Sequence, residues 1–250
     1  MKKTKHDFKY IDKKYRPIPF WSWNEKLDIA ETKRQVALMD EAGIGGYFMH
    51  ARGGLLTEYM GDEWYDNVAA AIEEGTQRGM HSWAYDENGW PSGFGGGRVS
   101  GLGEKYQQKS LHVEPLTEQN ANAPRTLLVR DGRRYYYNVN EFYVDVLDRE
   151  VTECFVKDTY CDYEAKVGNK IDGFFTDEPQ IWRGTGFPWS LTLEDKFKSK
   201  YGYSLIDSLD SLFRKVGDYR KVRIDYWHLV TELFSECFMK VIYDYCTSHG

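Results

Sequence analysis

Long apolar runs are missing from this sequence of 250 residues. No stretch approaches the ~20 consecutive apolar residues that a membrane-spanning helix needs, and the N-terminus lacks the apolar core of a signal peptide. A basic excess is missing too, because the formal net charge is −6, whereas nucleic-acid binders carry clustered positive charge. We therefore expect a soluble, cytoplasmic protein that binds neither nucleic acid nor a membrane.

Cysteine is scarce, and the common catalytic motifs are absent. The four cysteines form no CxxC pair, so we expect small buried side chains within helices. They are Cys154, Cys161, Cys237 and Cys246. The sequence contains no P-loop, no HExxH and no nucleophile elbow, which argues against nucleotide hydrolysis, zinc proteolysis and serine-hydrolase chemistry.

Aromatic residues are abundant instead, at 16% of the chain, and many lie beside Gly and Asn rather than on periodic faces. Aromatic rings outside a core often serve as binding platforms, and indole rings stack well on the apolar faces of sugars. The alternative is that these rings are buried under loops. We expect at least two platforms among five candidates: Trp21, Trp23, Trp90, Trp182 and Trp189.

Hydrophobic periodicity predicts strands that alternate with helices. Strands are predicted at 17–24, 44–52, 81–87 and 171–179, and helices after Asp28 in capping-box spacing with Glu31, after Asp62, and at 148–168, 192–201 and 219–249. Alternating runs on either side of Asp131-Gly132 predict a small β insertion at about 104–144. Residues 1–16 are basic, and we expect a solvated tail that precedes one domain at 17–250.

Strand and helix alternation implies a parallel sheet, either doubly wound or a (β/α)₈ TIM-type barrel. No GxGxxG follows the first strand, and the polar candidates all lie at the C-terminal ends of strands, where barrel enzymes keep their chemistry. A whole barrel needs eight strands. We therefore predict an α/β fold that carries about the first four β/α units of a barrel plus the β insertion.

The strand ends supply the candidate site residues. The catalytic candidates are Asp86, Glu87, Asp177 and Glu178, and the substrate-binding candidates are Trp23, Asn24, His50, Arg52, Trp90 and Trp182. Asp86 and Glu87 have an alternative role in capping the Gly-rich loop that follows them, NGWPSGFGGG at 88–97. His50 has the alternative of a satisfied structural histidine.

One of the paired carboxylates Asp177 and Glu178 should face the barrel axis, because side chains alternate along a strand. We expect this to be Glu178. An apolar mouth walled by Phe174, Trp182 and Trp189 would raise the pKa of such a carboxyl and keep it protonated as a general acid. The alternative is an ion-pair network with Arg52 or Arg183.

Four segments resemble the catalytic barrel of bacterial glycoside hydrolases related to the α-L-rhamnosidases of glycoside hydrolase family 106. They are PFWSWNEKLD, AGIGGYFMHARGGLLTEYMGDEWY, AYDENGWPSGFGGG and IDGFFTDEPQ. By this resemblance Glu178 takes the place of the fourth-strand general acid. The resemblance also implies inversion of configuration and Ca²⁺ at the sugar site, with no ligand assigned to a position. In retaining barrels the nucleophile would come from a later strand.

The sequence thus predicts a glycosidase that acts on a carbohydrate by carboxylate acid/base catalysis, with no cofactor required for the chemistry and Ca²⁺ as an option. An alternative is a non-catalytic carbohydrate-binding half-barrel that dimerises to cover its open edges. A third is a barrel enzyme whose carboxylates bind a metal. Four strands leave two ways to complete the barrel, a homo-oligomer or a C-terminal half.

Overall fold

The computed structural model describes residues 11–168 and 170–249. The strands are β1 (Phe20–Trp23), β2 (Gly46–Ala51), β3 (His81–Tyr85), β4 (Gln107–Pro115), β5 (Thr126–Arg130), β6 (Arg133–Val144), β7 (Gly173–Phe175) and β8 (Phe187–Trp189). The helices are α1 (Ile29–Glu41), α2 (Asp62–Gln77), α3 (Arg149–Val167), α4 (Leu193–Tyr201), α5 (Leu209–Phe213), α6 (Tyr219–Phe234) and α7 (Lys240–Ser248). A π-helical turn, Ser235–Met239, separates α6 from α7.

Chain contacts divide these residues into two compact units. The first comprises residues within 1–96 and 159–178, and the second comprises 97–158 and residues within 179–250. The first unit contains a parallel sheet in the order β1-β2-β3-β7, and the second contains a mostly antiparallel arrangement in the order β5-β6-β4-β8. The fold is therefore mixed α/β, and the four predicted strands of the parallel sheet are present in the predicted order.

No closed barrel forms among the residues that the structure describes, since the parallel sheet stops at β1 on one side and at β7 on the other. The parallel strands are also shorter than predicted. In particular, β7 covers only Gly173–Phe175, so Asp177 and Glu178 lie in the loop that follows it. Asp86 and Glu87 likewise follow β3 rather than end it.

The first unit packs α1 and α2 against one face of the parallel sheet. Trp64 of α2 is fully buried, 4.9 Å between ring centroids from Trp23 of β1, and its indole N–H donates to the Tyr163 hydroxyl at 3.1 Å. Gly75 allows α2 to lie close to Tyr47 of β2, because a Cβ at position 75 would lie 2.4 Å from the Tyr47 hydroxyl. That hydroxyl donates to the Ala71 carbonyl and accepts from Ser82.

The helix boundaries follow their capping residues. Asp28 is the N-cap of α1, and its Oδ1 accepts from the Glu31 amide at 2.9 Å, as the capping-box spacing predicts. The predicted cap Asp62 is instead the first residue of α2, whose N-cap is Gly61. An acidic side chain in the first turn still favours the positive end of the helix dipole, which explains why the sequence indicated Asp62.

Asp28→Ala should lower the free energy of unfolding by about 1 kcal/mol, because the Glu31 amide loses its acceptor. Asp66→Ala is the matched control, since Asp66 is exposed in the second turn of α2 and caps no helix, and Ala has the better helix propensity there. Urea unfolding of both variants measures the difference. Equal stabilities for the two variants would contradict a capping role for Asp28.

The second unit contains β4, β5 and β6 in the region where the sequence predicts a β insertion. Asp131 and Gly132 both have positive φ, at 50° and 67°, which is the turn that the Asp-Gly pair predicts between β5 and β6. The segment 187–189, which lies outside the strands predicted from the sequence, is β8 and pairs antiparallel with β4. Three residues that include a proline give too short a pattern for recognition, and an edge strand tolerates the missing amide.

Two smaller predictions need correction. Lys13, placed in the predicted solvated tail, donates to the Asp40 carboxylate and to the Arg78 carbonyl, so this part of the tail is packed. Residues 1–10 lie outside the described residues. Among the cysteines only Cys237 is buried, and Cys246 is exposed, because the apolar stripe of the C-terminal helices excludes it.

Candidate functional site

Aromatic rings cover the inner face of the parallel sheet, the face opposite α1 and α2. Phe20 lies 5.4 Å from Phe48 and 4.8 Å from Phe175, measured between ring centroids, and Phe48 lies 5.4 Å from Phe175. Phe20 is 47% exposed, although it points to a face that a parallel sheet normally buries. The C-terminal end of this aromatic layer is where the predicted site residues lie.

Asp177 shares this inner face. Phe175 belongs to the aromatic layer, whereas Phe174 points the other way and packs on Tyr160 of α3, with 4.2 Å between ring centroids. Alternation therefore places Asp177 on the inner side, and the Tyr85 hydroxyl donates to its Oδ2 at 3.3 Å. We expected Glu178 to be the inward one, but Phe175 faces inward, so alternation gives that place to Asp177. Phe174 cannot wall the mouth as predicted.

Glu178 has an unusual backbone. Its φ is 44°, in the left-handed region that non-glycine residues seldom adopt. Its side chain is exposed, and among the described residues none bonds to its carboxylate. Strained backbone of this kind concentrates at functional sites, where the surrounding structure imposes it. The chain turn at Glu178 thus presents a side chain to solvent beside Asp177.

Asp86 is fully buried and is surrounded by hydroxyl donors. Ser92 donates to its Oδ1 at 2.5 Å, while Tyr160 and Thr176 donate to its Oδ2 at 2.6 Å and 2.8 Å. We call these four residues the Asp86 network. Burial raises the pKa of Asp86 to about 6, against the opposing effect of the three hydroxyls, which favour the carboxylate. With both oxygens occupied, Asp86 connects parts of the chain to one another.

Glu87 is fully buried as well and caps the Gly-rich loop, which was the alternative role considered for it. Its Oε1 accepts from the amides of Asn88 and Gly89 at 2.7 Å and 3.1 Å, and its Oε2 accepts from the Gly95 amide at 2.7 Å. Burial raises the pKa of Glu87 to about 8, and the nearby Asp86 acts in the same direction. Glu87 therefore fixes the shape of the loop that carries Trp90.

His50 and Arg52 lie where predicted, at the C-terminal end of β2. The His50 ring is buried and stacks on the Tyr85 ring, with 4.0 Å between centroids, and its Nδ1 has no hydrogen-bond partner among the described residues. Burial lowers the pKa of His50 to about 4, with a further lowering from Arg52. His50 is thus a neutral ring beside Tyr85. Arg52 is exposed and forms no ion pair with any described residue, so the part of the alternative network that involves Arg52 is not present.

The tryptophan candidates divide sharply. Trp23 is 3% exposed and packs on Trp64, so it belongs to the core and cannot stack on a sugar. Trp90 is 42% exposed at the surface of the Gly-rich loop. Trp182 belongs to the second unit, where its ring lies 5.7 Å from that of Trp227. Asn24, the last polar candidate, is exposed just after β1.

No cluster of three or more His, Cys, Asp or Glu side chains that could hold a metal ion occurs within 11–168 and 170–249. Asp86 and Glu87 accept hydrogen bonds at all four carboxylate oxygens, which leaves only Asp177 and Glu178 among the predicted acids. Ca²⁺ takes six to eight oxygens, which include backbone carbonyls and waters as well as carboxylates, so the two remaining acids could supply only part of such a site. The calcium expectation stays a prediction from the resemblance.

Tyr85, Ser92, Tyr160 and Thr176 hold the acidic residues in place, and the sequence analysis did not identify them. Tyr85 directly precedes Asp86 and is the last residue of β3. The alternation of side chains along that strand could have predicted that Tyr85 lies on the inner face. Tyr160 and Thr176 come from α3 and from the loop after β7. Nothing in the spacing of the sequence brings those segments to Asp86.

No family model matches the chain, and no curated protein matches it. Among solved structures, the fold is similar to a rhamnosidase from Novosphingobium sp. PP1Y, with a TM-score of 0.67 and 10% sequence identity over 95% of this chain. That match covers 45% of the rhamnosidase chain, so this sequence spans less than half of its neighbour. The likeness shows the α/β fold.

Among the described residues no helix is long and apolar enough to span a membrane.

Proposed function

We propose that this chain carries part of the active site of a glycoside hydrolase, built on the first four β/α units of a (β/α)₈-type barrel. One observation carries the proposal: Glu178 is held in left-handed backbone at the C-terminal end of the fourth parallel strand, with its carboxylate exposed beside Asp177. Active sites of barrel enzymes occupy this end of the strands. The structural similarity to a rhamnosidase agrees with it.

In this proposal Glu178 protonates the leaving glycosidic oxygen. A sugar seated over the strand ends would cover the exposed carboxyl group and bring the glycosidic oxygen within its reach. Asp177, held by the Tyr85 hydroxyl, is the second carboxylate, and it interacts with either a sugar hydroxyl or an attacking water. Arg52 and Asn24 supply polar contacts, and Trp90 supplies a stacking surface for a sugar ring. Asp86 and Glu87 hold the site together without touching substrate.

The test is hydrolysis of a panel of 4-nitrophenyl glycosides that includes α-L-rhamnopyranoside, together with a glycan-array binding assay. We expect release of nitrophenolate from at least one member, above the rate of the buffer blank. A protein that neither hydrolyses any member nor binds any glycan on the array would contradict the proposal.

A second candidate is the non-catalytic carbohydrate-binding half-barrel that dimerises. It draws on the sheet edges at β1 and β7 and on the exposed ring of Phe20, since apolar edges of this kind favour association. Glycan binding without hydrolysis, combined with a dimer in sedimentation velocity, would favour this candidate over the first. A hydrolytically active monomer would rule it out.

A further inference from the structure

Two segments of the first unit meet through Ser92. The Ser92 amide donates to the Asp177 carbonyl at 2.9 Å, and the Asp177 amide donates to the Ser92 hydroxyl oxygen at 2.7 Å. A single serine of the Gly-rich loop therefore satisfies both main-chain polar groups of Asp177.

The Ser92 hydroxyl is itself fixed from behind. It donates to Asp86, whose second oxygen accepts from Thr176, the residue just before Asp177. A chain of bonds thus runs from the Asp177 amide through the Ser92 hydroxyl to the buried Asp86 carboxylate. Hydrogen bonds in such chains polarise and strengthen one another, and a charged acceptor strengthens them further.

We infer that Ser92 is a positioning residue that joins the Gly-rich loop to the Asp177–Glu178 segment, so that the Trp90 surface and the two carboxylates are placed relative to each other as one rigid piece. This inference rests on the proposed function for its relevance to a sugar, and on the hydrogen bonds alone for its structural content. Ser92 does not touch substrate. It acts by holding Asp177, and through Asp177 it holds the strained turn at Glu178.

The chemistry explains why the linkage is needed. General acid catalysis depends on placing a proton within hydrogen-bond reach of the leaving oxygen, and a misplacement of about 1 Å costs on the order of 100-fold in rate. A left-handed glutamate in a loop relaxes to a commoner conformation unless its neighbours prevent it. The two main-chain bonds to Ser92 lie one residue away from that turn.

The experiment is Ser92→Ala, followed by amide hydrogen exchange of the ¹⁵N-labelled full chain by NMR. The Asp177 amide should exchange at least tenfold faster than in the wild type, because its acceptor is gone. Ser82→Ala is the matched control: Ser82 is an equally buried serine on β3, and its hydroxyl donates to Tyr47 at 3.0 Å. The control should leave exchange at Asp177 unchanged.

Ser92→Cys covers the case in which the alanine variant does not fold. A thiol is a weak acceptor and nearly isosteric, so exchange at Asp177 should accelerate in the same direction by a smaller factor. Unchanged exchange at Asp177 in the Ser92 variants would overturn the inference. So would equal acceleration in Ser82→Ala, since that would report global loosening rather than a local bond.

Activity supplies a second readout. If the wild type hydrolyses a nitrophenyl glycoside, Ser92→Ala should lower kcat at least tenfold while KM changes less than threefold, because the carboxylates lose their placement and the sugar-binding groups remain. A purely structural role would lower the yield of folded protein without this split. Failure of the proposed function would be visible as no turnover in the wild type, and the exchange measurement would still decide the inference.

Discussion

Glu178→Gln should lower kcat for an unactivated phenyl glycoside by about 100-fold to 10,000-fold, the range that a general acid contributes. The amide keeps the size and hydrogen-bonding reach of the carboxyl but has no acidic proton. The fold should be intact, because the Glu178 side chain is exposed and makes no bond with the described residues. The measurement is initial-rate kinetics on the purified variant, with circular dichroism to confirm folding.

Leaving-group chemistry makes this test specific. A 2,4-dinitrophenolate departs with little help from an acid, whereas a phenolate needs protonation as the bond breaks. Loss of a general acid should therefore be severe for the phenyl glycoside and small for the dinitrophenyl one. Glu118→Gln is the matched control, because Glu118 is an exposed loop glutamate of the second unit. If both substrates slow equally, Glu178 is not the acid, and Asp177→Asn becomes the next variant to examine.

Stability should fall as pH rises from 6.5 to 8, and Glu87→Gln should remove this fall. The pKa of Glu87 in the folded protein is raised to about 8, from a reference of 4.5. Glu87 thus loses its proton at a lower pH in the unfolded chain than in the folded protein, so the folded state binds more protons between pH 6.5 and 8. A single group of this kind lowers the free energy of unfolding by roughly 1.5 kcal/mol between these two pH values.

Between pH 6.5 and 8 the contribution of Glu87 to the free energy of unfolding can be distinguished from those of its neighbours. Asp86, with a pKa raised to about 6, acts in the same direction but mainly below pH 6. His50, with a pKa lowered to about 4, acts in the opposite direction, since stability is lost as pH falls below its unfolded value near 6.5. Urea unfolding at pH 6.5, 7.25 and 8.0 therefore reports chiefly on Glu87.

The glutamine variant should also be less stable than the wild type at pH 6.5, by about 1–3 kcal/mol, because its amide nitrogen faces the Gly95 amide and leaves a buried donor unpaired. The expected pattern is thus a lower but flatter curve. Glu118→Gln should keep the wild-type slope. A slope that persists in Glu87→Gln would mean that another group binds the proton.

The parallel sheet was predictable because its signals are local. Each strand is a short apolar run bounded by Gly or a cap, and Asp28 with Glu31 marks a helix start in the sequence itself. The strand ends were less predictable, because Asp86 and Thr176, just beyond β3 and β7, bond to each other although they lie far apart in the sequence. Those partners are non-local, and periodicity carries no information about them.

The candidate site was likewise predictable only in part from the sequence. The sequence indicated Asp86, Glu87, Asp177 and Glu178 as a group, because acids at the ends of parallel strands converge. It did not separate the two acids that face solvent from the two that are enclosed by donors. That distinction depends on burial and on Ser92, Tyr85 and Tyr160, which give no local pattern in the sequence. Trp23 illustrates the reverse error, because an aromatic residue near a strand end can equally belong to the core.

Gly75 places a limit on how this protein can change. Replacing a helical glycine by alanine is among the commonest ways to stabilise a protein, and it is also a substitution that one nucleotide change allows. At position 75 the added methyl group would collide with the Tyr47 hydroxyl, which already bonds to Ala71 and Ser82. A larger residue at position 75 is therefore tolerated only after Tyr47 has been replaced. We expect the two positions to change together in descendants of this sequence. In a directed-evolution library, substitutions at position 75 alone should be destabilising.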